Sequence, residues 1–220
     1  MLTVIIPNLN NEAAVKRLLT QLSKADVQII LSDGGSKDKS LQIAAEHGAR
    51  MACGCCGRGH QLRRGAWIAN TSWLLFLHAD SQLPDGWESK IRDHIARNPN
   101  KAGYFAMKFA SKGFAPRIVE FLVGLRSYFL RLPYGDQGLL ISRSHYEEIG
   151  GFAPLVLFED VDIIRKIGRK RLTWVKGDLV TDPSKYERDG YFRRGWRNIK
   201  LARRYFKGES ADVLCKDYNA

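Results

Sequence analysis

Apolar residues along this chain fall into two rhythms. Short unbroken runs at Leu2–Ile6, Val27–Leu31 and Trp73–Leu77 have the length and composition of buried strands, with a weaker one at Arg50–Ala52. Between them the apolar positions recur every three or four residues. That spacing predicts helices over about Glu12–Leu22, Asp38–His47 and His60–Asn70, the second stopped by Gly48. The alternation predicts an α/β fold, a mostly parallel central sheet flanked by helices on both faces. Beyond it the pattern is more mixed. Helices are predicted at Trp87–Arg97, Phe114–Leu130, Glu159–Ile167 and Arg193–Phe206, and strands at Ala102–Phe109 and Leu139–Ser142. Ile118, Phe121, Leu122, Leu125, Phe129 and Leu130 make a broad apolar stripe on the Phe114–Leu130 helix, read as the face that packs on the sheet. Arg117, Arg126 and Arg131 on the same segment leave a second reading, an element lying on a membrane surface.

Composition adds one unusual fact. The 220 residues are 45% hydrophobic and 26% charged, which excludes a disordered or collagen-like chain, but the net charge is +12. Between Arg165 and Lys207 stand fifteen Lys or Arg against Asp178, Asp182, Glu187 and Asp189, so this segment alone carries +11. A cationic C-terminal region on a nearly neutral body should attract phosphates, on a nucleotide or on an anionic membrane. Aromatic residues there (Tyr191, Phe192, Trp196, Tyr205, Phe206) superficially suit nucleic acid, but no nucleic-acid module accompanies them and none is expected as a partner. The opening Met1–Pro7 run lacks a basic leader and is not read as a signal peptide. No run approaches the roughly 20 apolar residues of a membrane span. Cys53, Cys55, Cys56 and the remote Cys215 do not form a secreted disulfide framework, which favours a cytoplasmic protein, attached at most peripherally to the inner membrane face. With His60 the three clustered cysteines miss the spacing of a paired zinc knuckle and read as small, partly buried loop thiols.

In a parallel α/β sheet, ligands bind beyond the carboxyl ends of the strands. The first strand runs into Pro7-Asn8-Leu9-Asn10-Asn11-Glu12 and the second into Asp33-Gly34-Gly35-Ser36-Lys37-Asp38. Two glycines let backbone approach a ligand, Ser36 can cap the next helix, and an Asp there can accept hydrogen bonds from a base or ribose. Equally, such a run is a well-capped turn. The strand at Trp73–Leu77 leads into His78-Ala79-Asp80, whose carboxylate suits Mg²⁺ or Mn²⁺ completed by phosphate oxygens and water, or simply caps the turn.

Taken together and in order, these motifs resemble the family 2 glycosyltransferases. Three later segments extend the likeness over nearly the whole chain: Gly135-Asp136-Gln137-Gly138, Gly150-Gly151-Phe152 and Phe158-Glu159-Asp160. Gly57-Arg58-Gly59-His60-Gln61 is similar to a loop that closes over the nucleoside. The combination looks especially like a bacterial subgroup named for association with radical-SAM and selenium proteins. The resemblance implies a GT-A fold over residues 1–220, with a nucleotide-binding half to about 100, an acceptor half over about 101–190 and a basic helical extension over about 191–220. It implies a donor site of Pro7, Glu12, Asp33, Gly34, Ser36, Arg58, Gln61 and Ala79 for a nucleotide-diphosphate-sugar, and Asp80 as ligand of Mg²⁺ or Mn²⁺. It also implies Asp160 as general base for a hydroxyl acceptor, free or lipid-linked, with Glu159 positioning it or binding acceptor hydroxyls, and Asp136 and Gln137 touching acceptor or donor sugar. The expected reaction is single-sugar transfer with inversion.

Two departures qualify that expectation. The family's Asp-x-Asp signature is His78-Ala79-Asp80 here, and imidazole is a poor direct ligand for a hard cation. His78 is therefore assigned only an indirect part, and Asp182 is a speculative substitute. The Gln-x-x-Arg-Trp signature of processive synthases is missing. Two rivals stand beside the leading reading. A sugar-phosphate nucleotidyltransferase would show a Gly-rich activation loop near its start, which is not found. A non-catalytic basic module for RNA or anionic lipid would bind by charge.

Overall fold

The computed structural model describes residues 1–219. Its first half alternates β1 (Leu2–Asn8), α1 (Glu12–Leu22), β2 (Gln28–Asp33), α2 (Ser40–Glu46), β3 (Arg50–Cys53), α3 (Arg58–Ile68) and β4 (Trp73–Phe76). The rest comprises α4 (Trp87–Arg97), β5 (Ala102–Phe109), α5 (Phe114–Leu125), β6 (Leu139–Ser142), α6 (Arg143–Glu148), α7 (Glu159–Ile167), β7 (Leu172–Thr181), α8 (Ser184–Asp189), α9 (Tyr191–Phe206) and α10 (Ala211–Asn219). The seven strands form one sheet in the order β3-β2-β1-β4-β6-β5-β7. Pairings are parallel except on the two sides of β6, which runs antiparallel to β4 and β5. Every other strand therefore points the same way, and their carboxyl ends share one edge of the sheet.

The two faces of the sheet explain the unbroken apolar runs. Along β1, Val4 and Ile6 pack beneath α1 with Leu18, Leu19 and Leu22, while Ile5 turns to the opposite face with Leu62 of α3 and Ile163 and Ile164 of α7. Alternate residues of one strand thus enter separate cores, so both registers must be apolar. Each such fully buried side chain is worth about 1.5–3 kcal/mol relative to exposure.

Two departures from the periodicity have physical causes. β7 was not predicted, because Lys176, Gly177 and Asp178 interrupt its apolar run; the strand persists through its pairing with β5, across a register shift between Tyr104 and Ala106. The second departure is a correction. The stripe on α5 does not pack on the sheet: Phe121, Leu122, Leu125, Phe129 and Leu130 are exposed, and Pro116, Val119, Glu120, Val123 and Ser127 turn inward. Glu120 decides the orientation. Its buried carboxylate accepts the Phe109 amide at 2.8 Å and both bonds of Arg117 at 2.6 and 2.7 Å. Turning the helix to bury its apolar stripe would carry Glu120 away from β5 and leave the Phe109 N–H unpaired. The helix then widens into a π turn at Arg126–Leu130 and ends at Arg131, which takes a left-handed conformation with φ 53°. Among the described residues no helix is long and apolar enough to cross a membrane.

Candidate functional site

A cleft of about 520 Å³ opens over the carboxyl ends of the strands. Pro7 and Asn8 line it from β1, Arg58 and Gln61 from α3, His78, Ala79 and Asp80 from the end of β4, and Asp160 from the first turn of α7. Tyr134 and Asp136 come from the loop before β6. Thr181 and Asp182 come from the end of β7, and Lys185, Arg194, Asn198 and Tyr218 from α8, α9 and α10. Asp80 and Asp160, far apart in sequence, thus open on one space.

The acidic groups are held differently. Asp160 is fixed by two backbone donors, Gly135 N–H to Oδ2 at 2.8 Å and Val161 N–H to Oδ1 at 2.8 Å. Asp80 receives only a long contact from the Thr181 hydroxyl, at 3.5 Å, so its carboxylate is available to a ligand. A reciprocal pair of bonds, Gln82 N–H to the Val180 carbonyl at 2.8 Å and Val180 N–H to the Gln82 carbonyl at 3.0 Å, pins this loop to β7 and brings Thr181 to Asp80. Asp136 carries a buried oxygen, Oδ1, with no protein partner. Burial raises its carboxyl above the usual range; the neighbouring carboxylates of Asp160 and Asp80 act in the same sense, and Arg126 and Arg58 oppose them.

His78 stands beside these carboxylates. Burial, reinforced by the Arg58 charge and opposed by Asp80 and Asp160, pushes its imidazole down to about 4, so it is uncharged near neutral pH. Its Nε2 and the Asp160 carboxylate both abut Gly135. A Cβ at that position would lie 2.6 Å from Nε2 and 3.3 Å from Asp160 Oδ2, which is why only glycine fits there.

Several predicted residues stand behind the cleft and build it. Glu159 is fully buried, ion-paired through Oε1 with Arg58, and its Oε2 has no partner. Burial and the nearby Asp160 raise its carboxyl; Arg58 works against that. It holds Arg58 rather than facing the cleft. Gln137 likewise turns inward. Its Oε1 accepts from the Ser127 hydroxyl at 2.8 Å and from Arg126 at 3.2 Å, and its Nε2 donates to the Phe105 carbonyl at 3.0 Å. Gln61, which does line the cleft, has its amide spent on the strand-end carbonyls of Asn8 at 2.6 Å and Ser32 at 3.0 Å. A Cβ at Gly34 would lie 3.0 Å from that same amide. Asp33 is engaged by its own turn: Oδ2 accepts the Gly35 and Ser36 amides at 2.8 and 2.7 Å, and Oδ1 accepts from Asn8 and the Ser36 hydroxyl. Burial alone would raise the Asp33 carboxyl, but these bonds outweigh it and hold it below the usual range. Glu12 ties the two loops from outside, accepting the Lys39 amide at 2.9 Å while its own amide donates to Asp38.

The backbone before Asp160 is strained. Phe158 adopts φ 63°, a conformation costing a residue with a side chain about 1–2 kcal/mol, and its ring stacks on Tyr205 of α9 at 4.7 Å. That left-handed residue turns Glu159 inward and Asp160 toward the cleft. The cationic C-terminal region, expected from its charge to lie against phosphate, forms one wall of the cleft, although no individual residue of it was named for the site. Arg194, nearly fully buried, is ion-paired with Asp189 and donates to the Tyr218 hydroxyl at 3.0 Å. The signal available in the sequence was the cationic helix itself, without an indication of which residue points inward.

Among the described residues no group of three His, Cys, Asp or Glu is placed to hold a metal. Cys53, Cys55 and Cys56 are exposed rather than partly buried, and they form no zinc site with His60. A cation at Asp80 fits only as a shared site, with most of its ligands coming from phosphate and water.

Residues 3–153 match the family model described as "Glycosyl transferase family 2". The curated relatives include a PGL/p-HBAD biosynthesis glycosyltransferase of Mycobacterium bovis, 34% identical over 93 residues, covering 38% of this chain and 36% of that protein. The match thus spans about a third of that relative's length. Among solved structures, TarS 1-349 of S. aureus superposes with a TM-score of 0.65 at 16% identity, over 90% of this chain and 64% of that one. The mannosyltransferase PcManGT of Pyrobaculum calidifontis, solved with GDP-Man and Mn²⁺, gives 0.66 at 16% identity, over 99% and 68%. Glucosyl-3-phosphoglycerate synthase of Mycobacterium tuberculosis, solved with Mn²⁺, UDP and glucosyl-3-phosphoglycerate, gives 0.62 at 19%, over 90% and 78%. At such identities the likeness shows a shared fold, the mixed α/β sheet of these enzymes.

Proposed function

Because this chain belongs to glycosyl transferase family 2, we propose that its cleft moves one sugar from a nucleoside-diphosphate sugar to an acceptor hydroxyl, with inversion. The observation that carries the reading is Asp160. Each of its oxygens already accepts one backbone N–H, so its direction is set while lone pairs remain for an incoming hydroxyl. In the proposed reaction Asp160 accepts the acceptor's proton as the acceptor oxygen attacks the anomeric carbon and the nucleoside diphosphate departs. A base so placed contributes roughly 10²–10⁴-fold.

The departing diphosphate gains negative charge, and fixed cations at that place lower the barrier. Arg58, oriented by Glu159, and Lys185 on the cleft wall supply two such charges. Asp80 would hold Mg²⁺ or Mn²⁺, which would supply positive charge to offset that of the leaving diphosphate. His78, whose imidazole is a poor direct ligand for a hard cation, would act on it only indirectly, and Asp182 at the β7 end would offer a second carboxylate. The unpartnered Oδ1 of Asp136 accepts from a sugar hydroxyl. Solved fold relatives carrying UDP-GlcNAc, or GDP-Man with Mn²⁺, support a nucleotide-sugar as the donor class.

The test is a thermal-shift panel of UDP-, GDP- and dTDP-sugars with and without Mn²⁺, followed by product analysis on the best donor. Asp160→Asn should keep the donor-induced shift and lose transfer by roughly 10²–10⁴-fold. Asp80→Ala should lose the Mn²⁺-dependent part of the shift. Undiminished transfer by Asp160→Asn would remove the proposed base, and no stabilisation by any nucleotide-sugar would remove the donor.

A further inference from the structure

The exposed side of α5 finds no partner among the described residues. Phe114, Phe121, Leu122, Leu125, Phe129 and Leu130 stand out from the helix and its π turn, with Phe121 66% and Phe129 67% exposed. Their spacing places them along the side opposite the inward residues Val119, Glu120 and Val123. An apolar row of this length on a surface marks an interaction site.

Charge selects the partner. From Lys112 to Arg131 the chain has Lys112, Arg117, Arg126 and Arg131, and its single acidic residue, Glu120, is buried and bonded to Arg117. α5 packs against α9, whose exposed residues repeat the same chemistry. There Phe192, Trp196, Ile199 and Phe206 recur at helical spacing among the exposed cations Arg193, Lys200, Arg203 and Lys207, and the helix has no acidic residue. Apolar rows flanked by cations complement a bilayer that offers acyl chains beneath anionic headgroups. A second copy of the chain complements them poorly, since two such faces would bring like charges together without a carboxylate between them.

We propose that α5 with its π turn, seconded by the outer face of α9, docks the protein flat on an anionic lipid bilayer. The helix lies in the interface with Phe121, Leu125 and Phe129 among the upper acyl chains and the exposed cations Lys112, Arg193, Lys200 and Arg203 at the headgroups. Its end leads to the cleft: Arg126, first residue of the π turn, stacks 3.6 Å over the ring of Tyr134, which lines the cleft. α9 reaches the same cleft from its other side through Arg194 and Asn198. If the proposed transfer holds, the docked cleft mouth faces hydroxyl acceptors carried by lipids. The docking itself needs no sugar transfer and stands or falls separately.

The experiment is flotation of the full chain with vesicles of phosphatidylcholine alone, or with about 30% phosphatidylglycerol. Binding is expected to the anionic vesicles. It should weaken at least roughly tenfold in Phe121→Glu/Phe129→Glu and in Arg193→Glu/Lys200→Glu. These side chains are exposed, so each variant should keep the wild-type melting temperature, which is measured alongside. Light scattering of wild type and the Phe variant reports the oligomeric state. Three results overturn the proposal: no flotation of wild type with anionic vesicles, undiminished flotation of the Phe variant, or a wild-type dimer that the Phe substitutions split. Tight RNA binding with weak vesicle binding would likewise assign the cations to a different partner.

Discussion

At the scale of single residues, the site rests on one ion pair whose acidic half, Glu159, is buried behind the cleft and whose basic half, Arg58, lines it. Glu159 is fully buried, and the Arg58 side chain that neutralises it is 34% exposed toward the cleft. Arg58→Met would leave a buried carboxylate without its cation. A loss of about 3 kcal/mol is expected, at the low end for a broken buried pair because Arg58 retains solvent contact. The pH dependence has a definite sign. Burial holds the Glu159 carboxyl above its ordinary value of 4.5, so the folded state binds a proton there more readily than the unfolded chain. Stability from this group therefore rises as pH falls toward 4.5, and removing Arg58 lifts the folded value further. Urea denaturation should show the Arg58→Met deficit shrinking between pH 8 and pH 5; a deficit constant across that range would contradict the account. Asp80, Asp136 and Asp160 were legible as residues from their motifs. Which of the motif's polar groups face the cleft was not, because Asp33, Gln137 and Glu159 look identical in sequence to groups that bind ligand.

Among the elements, α5 shows how a single buried charge overrides hydrophobic patterning. Its apolar stripe predicts one orientation, and Glu120, bonded to the Phe109 amide and to Arg117, enforces the other. Glu120→Ala would strand that amide and release Arg117. The expected cost is about 2–3 kcal/mol, the range for hydrogen bonds to a charged group and a buried donor left unmade. Glu120→Gln keeps an acceptor and should recover about half of it. Equal losses in both variants, read from denaturation midpoints, would mean that packing rather than the bond orients the helix. β7 presents the complementary case. Its strand-forming residues are split by Lys176-Gly177-Asp178, yet pairing with β5 makes it one strand and delivers Thr181 and Asp182 to the cleft.

Across the whole molecule, the cationic C-terminal region is a wall of the cleft as well as a charged surface. Part of its charge is paired internally: Asp189 meets Arg188, Arg194 and Arg197, and Arg204 meets Glu209 and Asp217. A small core of Leu157, Phe158, Val161, Leu201, Ala202 and Leu214 glues α9 and α10 to the loop that aims Asp160. Leu214 is completely buried in that core. Leu214→Asp should destabilise the fold by about 3 kcal/mol or more. It should also weaken nucleotide-sugar binding in a calorimetric titration, although Leu214 does not line the cleft. Wild-type affinity in a folded Leu214→Asp protein would show that α9 and α10 are dispensable for the donor.

The alternation of doubly apolar runs with helical spacing was enough to set the α/β class, because a parallel sheet covered on both faces demands that pattern. The motif after β4 pointed to Asp80, and the resemblance carried by Phe158-Glu159-Asp160 pointed to Asp160. Tertiary structure alone decided that these two carboxylates share a space, that Glu159 and Gln137 turn inward, and that α5 shows its apolar side to solvent. Each of those outcomes depends on a partner distant in the chain: Arg58 for Glu159, Phe105 for Gln137, the Phe109 amide for Glu120. Periodicity records how polar a position is, whereas orientation follows from which buried hydrogen bond would be lost, and that is known only once the chain has folded.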